Sequence, residues 1–156
     1  MNALGVLRDL FGRVKTDVHG AVDGLDDEAL AHRVGGDANS IAWLVWHLTR
    51  VQDDHVADVA GTEQVWLRDG WVERFDLPFG RTAHGYGQGS SEVAAVRADA
   101  ELLTAYYDAV HAQTIAYVDK LTDADMPRVV DENWNPPVTL AVRLVSVISD
   151  DLQHVG

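Results

Sequence analysis

Leu4, Leu7, Leu10, Phe11, Val14, Val18 and Val22 recur at three- and four-residue steps. That spacing lays one apolar stripe along a helix over residues 2–22. Asp23-Gly24-Leu25-Asp26-Asp27 stops it, and Asp26 or Asp27 is placed to cap a short turn through Leu30. The glycines of Gly35-Gly36-Asp37-Ala38-Asn39-Ser40 mark a loop. Asn39 or Ser40 then caps a second long helix. Its apolar face runs through Ile41, Leu44, Leu48, Val51 and Val59 and ends at Gly61. On this wheel His47 lies at the edge of the face, near Asp54 and Asp58. His55 lies nearer the middle, which makes it the expected core histidine of the two.

Residues 62–90 break the periodicity. Trp66, Trp71, Phe75, Leu77 and Phe79 are mixed with charges, and a glycine-rich run from Gly80 to Gly89 follows. A connection this long inside one domain binds something or contains short helices, and Gln64 to Phe75 has room for one turn. The glycines lack the strand, lysine and spacing of a phosphate-binding loop, so no nucleotide role is assigned. Ser90 or Ser91 caps a third long helix carrying Val93, Val96, Ala100, Leu103, Tyr107 and Val110 and reaching Leu121. After an irregular piece with Val129, Val130 and Trp134, Pro136-Pro137 leads into the last helix, with Pro137 suited to its first position. Ala141, Val142, Leu144, Val145, Ile148, Leu152 and Val155 form its expected apolar arc. No strand alternation and no repeat is present. The pattern predicts an all-α four-helix bundle with a long connection between helices 2 and 3, one domain over residues 1–156.

A chain of 156 residues supports one real core. No apolar run reaches the roughly 18 residues that span a membrane. The N-terminus lacks the basic start and cleavage site of a signal peptide, so a cytoplasmic location is expected. The net charge of −13 repels phosphate backbones and anionic lipid, which argues against nucleic-acid and membrane partners. Basic charge is mostly Arg, with Lys only at positions 15 and 120, and with abundant Ala, Val and Gly this points to a high-GC genome. There is no cysteine. Disulfides, thiolate metal sites and cysteine nucleophiles are therefore excluded; any thiol chemistry needs a thiol from a cosubstrate.

The chemistry concentrates at Ser149-Asp150-Asp151-Leu152-Gln153-His154. Asp150 and His154 stand four apart, which on a helix brings their Cβ atoms to roughly 5–6 Å. Together they offer two ligands to a divalent cation, and His47 is the best third donor. A His–Asp–His set with an open position is the pattern of a catalytic metal. A solvated face or a capping pair explains the same spacing. Asp151, near the middle of the apolar arc, needs a partner of its own and is the alternative ligand to Asp150. The set requires helices two and four to touch, which a bundle permits.

Asn39-Ser40-Ile41-Ala42-Trp43-Leu44-Val45-Trp46-His47-Leu48 and Asp150-Asp151-Leu152-Gln153-His154-Val155-Gly156 resemble the DinB/YfiT-like superfamily of metal-binding four-helix bundles. The likeness covers nearly the whole chain. In that superfamily a divalent ion is commonly held by a histidine on helix two and a His-x-x-x-His pair on helix four, which correspond here to His47, position 150 and His154. Position 150 departs from the pattern, with Asp for His. The related thiol-dependent maleylpyruvate isomerases also carry a carboxylate there. Two residues follow His154, so this ligand is expected in a final, fraying turn. The resemblance implies a zinc- or nickel-dependent S-transferase that adds a low-molecular-weight thiol to an electrophilic small molecule. Mycothiol is the thiol that the composition favours. Trp66, Trp71 and Tyr86 are the expected substrate-binding residues, and Asp54, Asp58 and Asp151 the expected acceptors behind the ligating histidines. A non-catalytic binding or stress-response protein and a metal-dependent hydrolase are the alternatives. A homodimer is compatible with each.

Overall fold

The computed structural model describes residues 1–156. Its long helices are α1 (Ala3–Val22), α3 (Ile41–Ala60), α7 (Ala100–Val118) and α8 (Leu140–Val155); α2 (Asp27–Ala31), α4 (Val65–Arg68), α5 (Trp71–Phe75) and α6 (Ser90–Ala95) are short. The architecture is the all-α bundle that the periodicity predicts. α1 packs on α7 and α8, and α3 packs on α8 and α7, so the long helices close a ring in the order α1, α7, α3, α8. Two apolar clusters fill it. One is built around Trp46, Leu48, Leu103 and Tyr106, the other around Phe11, Val118, Leu140 and Leu144.

Local chemistry sets the helix ends. The Ser40 hydroxyl accepts from the Trp43 N–H at 3.0 Å and starts α3. Gly61, at φ 68°, ends it in a left-handed turn that a side chain would strain. Asn2 and Asp26 cap α1 and α2 in the same way.

Three expectations need correction. The third helix is broken: α6 ends at Ala95, and residues 96–99 leave the helix, with Val96 and Asp99 extended. The Asp99 carboxylate accepts from the Leu102 N–H at 2.7 Å and starts α7 afresh. Apolar periodicity continues through the break because Val93 before it, Val96 within it and Leu103 after it are all buried, so the pattern alone hides it. A small antiparallel ribbon, β1 (Val129–Asp131) with β2 (Val138–Thr139), precedes the last helix. The first position of α8 is therefore Leu140, not Pro137, and Thr139 caps the helix by accepting from the Val142 N–H at 3.3 Å. Finally, the buried face of α8 is Leu140, Leu144, Val147, Ile148 and Asp151, while Val142, Val145 and Leu152 are exposed. This helix carries more apolar residues than one seam can bury. The seam chosen by packing places Asp150 and His154 at its margin, beside α3.

Residues 62–89 form the excursion between α3 and α6, with α4 and α5 inside it. A buried polar clamp on α3 holds it. The Asp53 carboxylate accepts from the Val65 and Trp66 N–H groups, both at 2.8 Å, and from the Tyr106 hydroxyl at 2.7 Å. Arg50, fully buried, donates Nε to the Ala83 carbonyl at 2.9 Å and an Nη to Gln64 at 2.7 Å. Its guanidinium lies 4.9 Å over the Trp66 ring, and Trp66 Nε1 donates to the Arg81 carbonyl. The clamp turns the carbonyls of residues 81–84 back toward α3, just above His47.

Candidate metal centre

His47 sits one turn before Arg50 on α3, and Asp150 and His154 share a face of α8. Because α3 and α8 are neighbours, these three side chains meet. One donor atom from each lies within 4.8 Å of the others. Two ligands at about 2.1 Å from one ion stand at most about 4.2 Å apart, so side-chain rotation of about an ångström closes the set on a cation.

Each imidazole is oriented by a main-chain carbonyl. His47 donates Nδ1–H to the His84 carbonyl at 2.5 Å, and His154 donates Nδ1–H to the Asp150 carbonyl at 2.7 Å. Both rings then carry their lone pair on Nε2, the arrangement of a ligating histidine with its second nitrogen tied down. The carboxylate Oδ2 of Asp150 is buried and has no hydrogen-bond partner. His154 Nδ1 stands 3.5 Å from it, too far and too poorly aimed for a hydrogen bond, and a buried carboxylate oxygen with no hydrogen bond beside two histidines is costly without a cation and natural with one. The residues present fit a divalent metal.

The surroundings pin His47 closely. It is only 2% exposed. Trp43 stacks on it at 4.6 Å, Tyr86 meets it edge-on at 5.0 Å, and the His154 ring lies at 4.8 Å. Gly85 passes so near that a Cβ there would stand 2.5 Å from His47 Nδ1, and its φ of +100° suits glycine alone. Trp43 is itself fixed by Nε1 donating to Gln88 at 2.9 Å. Burial pushes the His47 imidazole below the ordinary range and so favours the neutral ligating form, with the His84 carbonyl opposing.

The sequence-derived site residues divide. His47, Asp150 and His154 come together, and Tyr86 stands against His47. Trp66 and Trp71 are elsewhere: both are buried with Tyr106 in the core beneath the excursion. The acceptors behind the histidines are carbonyls and not the expected carboxylates. Asp54 accepts from Gln64, Asp58 pairs with Arg143, and Asp151 touches no partner. Asp151 is wholly buried, its carboxyl pushed far up by burial; Asp150, not Asp151, joins the donor cluster. His55 is not a core residue. It is half-buried and lines a cleft with Tyr86, Trp134 and Asp150. The sequence pattern did not single out Trp43, His84 or Gly85. Trp43 does stand four residues before His47 on one helix face, and that spacing is legible.

The fold and the donors at the α3–α8 seam define the class as a DinB-like four-helix bundle. Comparison with known families makes it specific. A family model described as mycothiol-S-transferase matches residues 6–156, and the chain belongs to that family. A crystal structure described as a conserved protein from Enterococcus faecalis superposes with a TM-score of 0.92 at 28% identity, over 100% of this chain and 92% of that one. No protein of curated function matches.

Proposed function

We propose that this protein is a metal-dependent thiol S-transferase that joins mycothiol to an electrophilic small molecule, with His47, Asp150 and His154 as ligands of zinc or nickel. One observation carries the reading: the three donors meet, with both imidazoles tied at Nδ1, in a chain that belongs to the mycothiol-S-transferase family. When bound, the cation supplies an electrophilic position at which a thiol of ordinary pKa about 8.5 is held as thiolate. The chain has no cysteine, so the sulfur comes from the cosubstrate.

The chain's own residues prepare that position. His47 and His154 each keep Nε2 free of their main-chain hydrogen bonds, and burial favours the neutral form of His47 that a cation needs. Asp150 contributes the one negative charge of the donor set. With a divalent cation the site therefore stays net positive toward a thiolate. Trp43 and Tyr86 cover His47 and exclude water from its side of the site. The clamp of Arg50 on residues 82–83 holds the His84 carbonyl in place.

The test is metal content per chain by mass spectrometry, followed by conjugation of mycothiol to monochlorobimane. Near-stoichiometric zinc or nickel is expected in the wild type and loss of it in His47→Ala and His154→Ala, with conjugation falling in step. A wild type that takes up no metal after zinc is added sinks the reading. Turnover of an ester without any thiol would make the protein a hydrolase instead.

A further inference from the structure

Beside the donor cluster lies an open cleft of about 470 Å³, a volume in the range of small-molecule sites. Asp150 is one of its lining residues. Trp134, on the turn between β1 and β2, and Arg143, two turns before Asp150 on α8, line it as well. Val51, Val138 and Val147 contribute apolar surface to it, and His55 and Ser146 polar groups.

Trp134 is the odd member. Its side chain is 66% exposed, although the other four tryptophans of this chain are buried. It is nevertheless held: Nε1 donates to Asp131 Oδ2 at 3.2 Å. An indole tethered at its edge and bare on its face is a preformed platform and not a loose surface residue. Asp131 accepts further from the Asn133 N–H at 2.9 Å and faces Arg143 at 3.8 Å. Arg143 is also paired with Asp58 at 3.0 Å.

These contacts decide the charge of the occupant. Arg143, the one arginine or lysine lining the cleft, is compensated by two carboxylates, and Asp150 adds negative charge two turns along α8. A phosphate or carboxylate would find no free cation here, on a molecule of net charge −13. Hydrogen-bonding capacity remains. Arg143 has donors beyond those in its ion pairs, and carboxylate oxygens accept more than one bond. A bare aromatic face flanked by planar donors and acceptors of balanced charge suits a sugar ring, whose C–H face lies on the indole and whose hydroxyls meet the polar groups.

We propose that this cleft seats the uncharged, polyhydroxylated portion of the thiol cosubstrate, with Trp134 as its platform and Asp131 and Arg143 as its hydroxyl-binding pair. The inference rests on the transferase reading above: a sugar held there places the attached thiol toward Asp150 and the two histidines.

The experiment compares wild type, Trp134→Ala and Trp134→Phe, each loaded with zinc. Binding of S-methylmycothiol, which keeps the sugars and lacks a free thiol, is measured by calorimetry. Conjugation to monochlorobimane is measured with mycothiol and with N-acetylcysteine, which carries no sugar. Trp134→Ala is expected to weaken S-methylmycothiol binding and raise the KM for mycothiol about tenfold. Trp134→Phe should restore most of the loss, and the rate with N-acetylcysteine should not change. Equal affinity in Trp134→Ala, or an equal loss with N-acetylcysteine, overturns the cleft assignment while mycothiol turnover still upholds the transferase. Trp134-dependent binding without turnover of any thiol upholds the sugar subsite and removes the transferase.

Discussion

At the scale of single residues the candidate centre depends on a glycine as much as on its donors. His47 has one productive orientation, set by the His84 carbonyl on Nδ1 and by Trp43 on its face. Gly85 is the residue that lets the main chain come this close. In Gly85→Ala the new methyl would collide with His47 Nδ1 and lie 3.1 Å from Trp43, at a φ that an L side chain resists. Loss of an outer partner of a ligating histidine typically costs 10–100-fold in metal affinity. That loss, at unchanged helix content by circular dichroism, is the expected result of competition against a chromophoric chelator. Equal zinc affinity in the variant would show that the ring tolerates another orientation. Asp151 makes the contrasting point. It neighbours the donors in sequence, yet its carboxyl is enclosed by the bundle, and burial pushes it well above the usual carboxylate range.

At the scale of elements the excursion of residues 62–89 and helix α3 act as one unit. Asp53 and Arg50 are buried charges at the centre of that unit. Each is paired and hydrogen-bonded, as a buried charge must be. Arg50→Met would remove the donors to Ala83, Thr82 and Gln64 and leave the Asp53 carboxylate without its cation. Breaking a buried pair in this way costs about 3–5 kcal/mol. Lysine, a point charge without the planar fork, is expected to restore little of it. Denaturant unfolding measures the cost. Hydrogen exchange should report faster exchange in residues 81–89 than in α1, because the clamp acts locally. Uniform acceleration throughout the chain would mean that Arg50 supports the bundle and not the loop.

At the scale of the whole molecule a cation would act as a cross-link between α3 and α8, the seam that joins the second and last long helices. His47 is far from Asp150 and His154 along the chain, and the unfolded chain does not bring them together. Zinc should therefore stabilise the folded state by mass action, about 2.7 kcal/mol at a concentration one hundred times its Kd. Thermal unfolding with zinc and with EDTA checks this. The midpoint should rise with zinc in the wild type and stay still in His154→Ala. No shift in the wild type would contradict a site at the seam. The acidic surface affects the molecule more broadly. It disfavours anionic partners, and no helix is long and apolar enough to cross a membrane.

Much of this is legible from residue order alone. The stripe of α1 and the existence of α3 and α8 follow from three- and four-residue spacing, and Ser40 and Gly61 mark the ends of α3 because capping and left-handed turns are local chemistry. The pair Asp150 and His154 is visible for the same reason, since a helix fixes where the fourth residue stands. The absence of cysteine limits the donors to histidine and carboxylate by composition alone. Other features need the tertiary fold. The third helix breaks at residues 96–99 although its apolar rhythm continues, because the pattern registers burial and not backbone path. Trp66 and Tyr86 look alike in sequence, yet one is buried under the excursion and the other stands at the donors. The choice of Asp150 over Asp151 turns on which face of α8 meets the core. His47 is legible as the best third donor, but nothing within either segment brings it to Asp150 and His154. Their meeting follows from the packing of α3 against α8, a contact between distant parts of the chain that local rules do not specify.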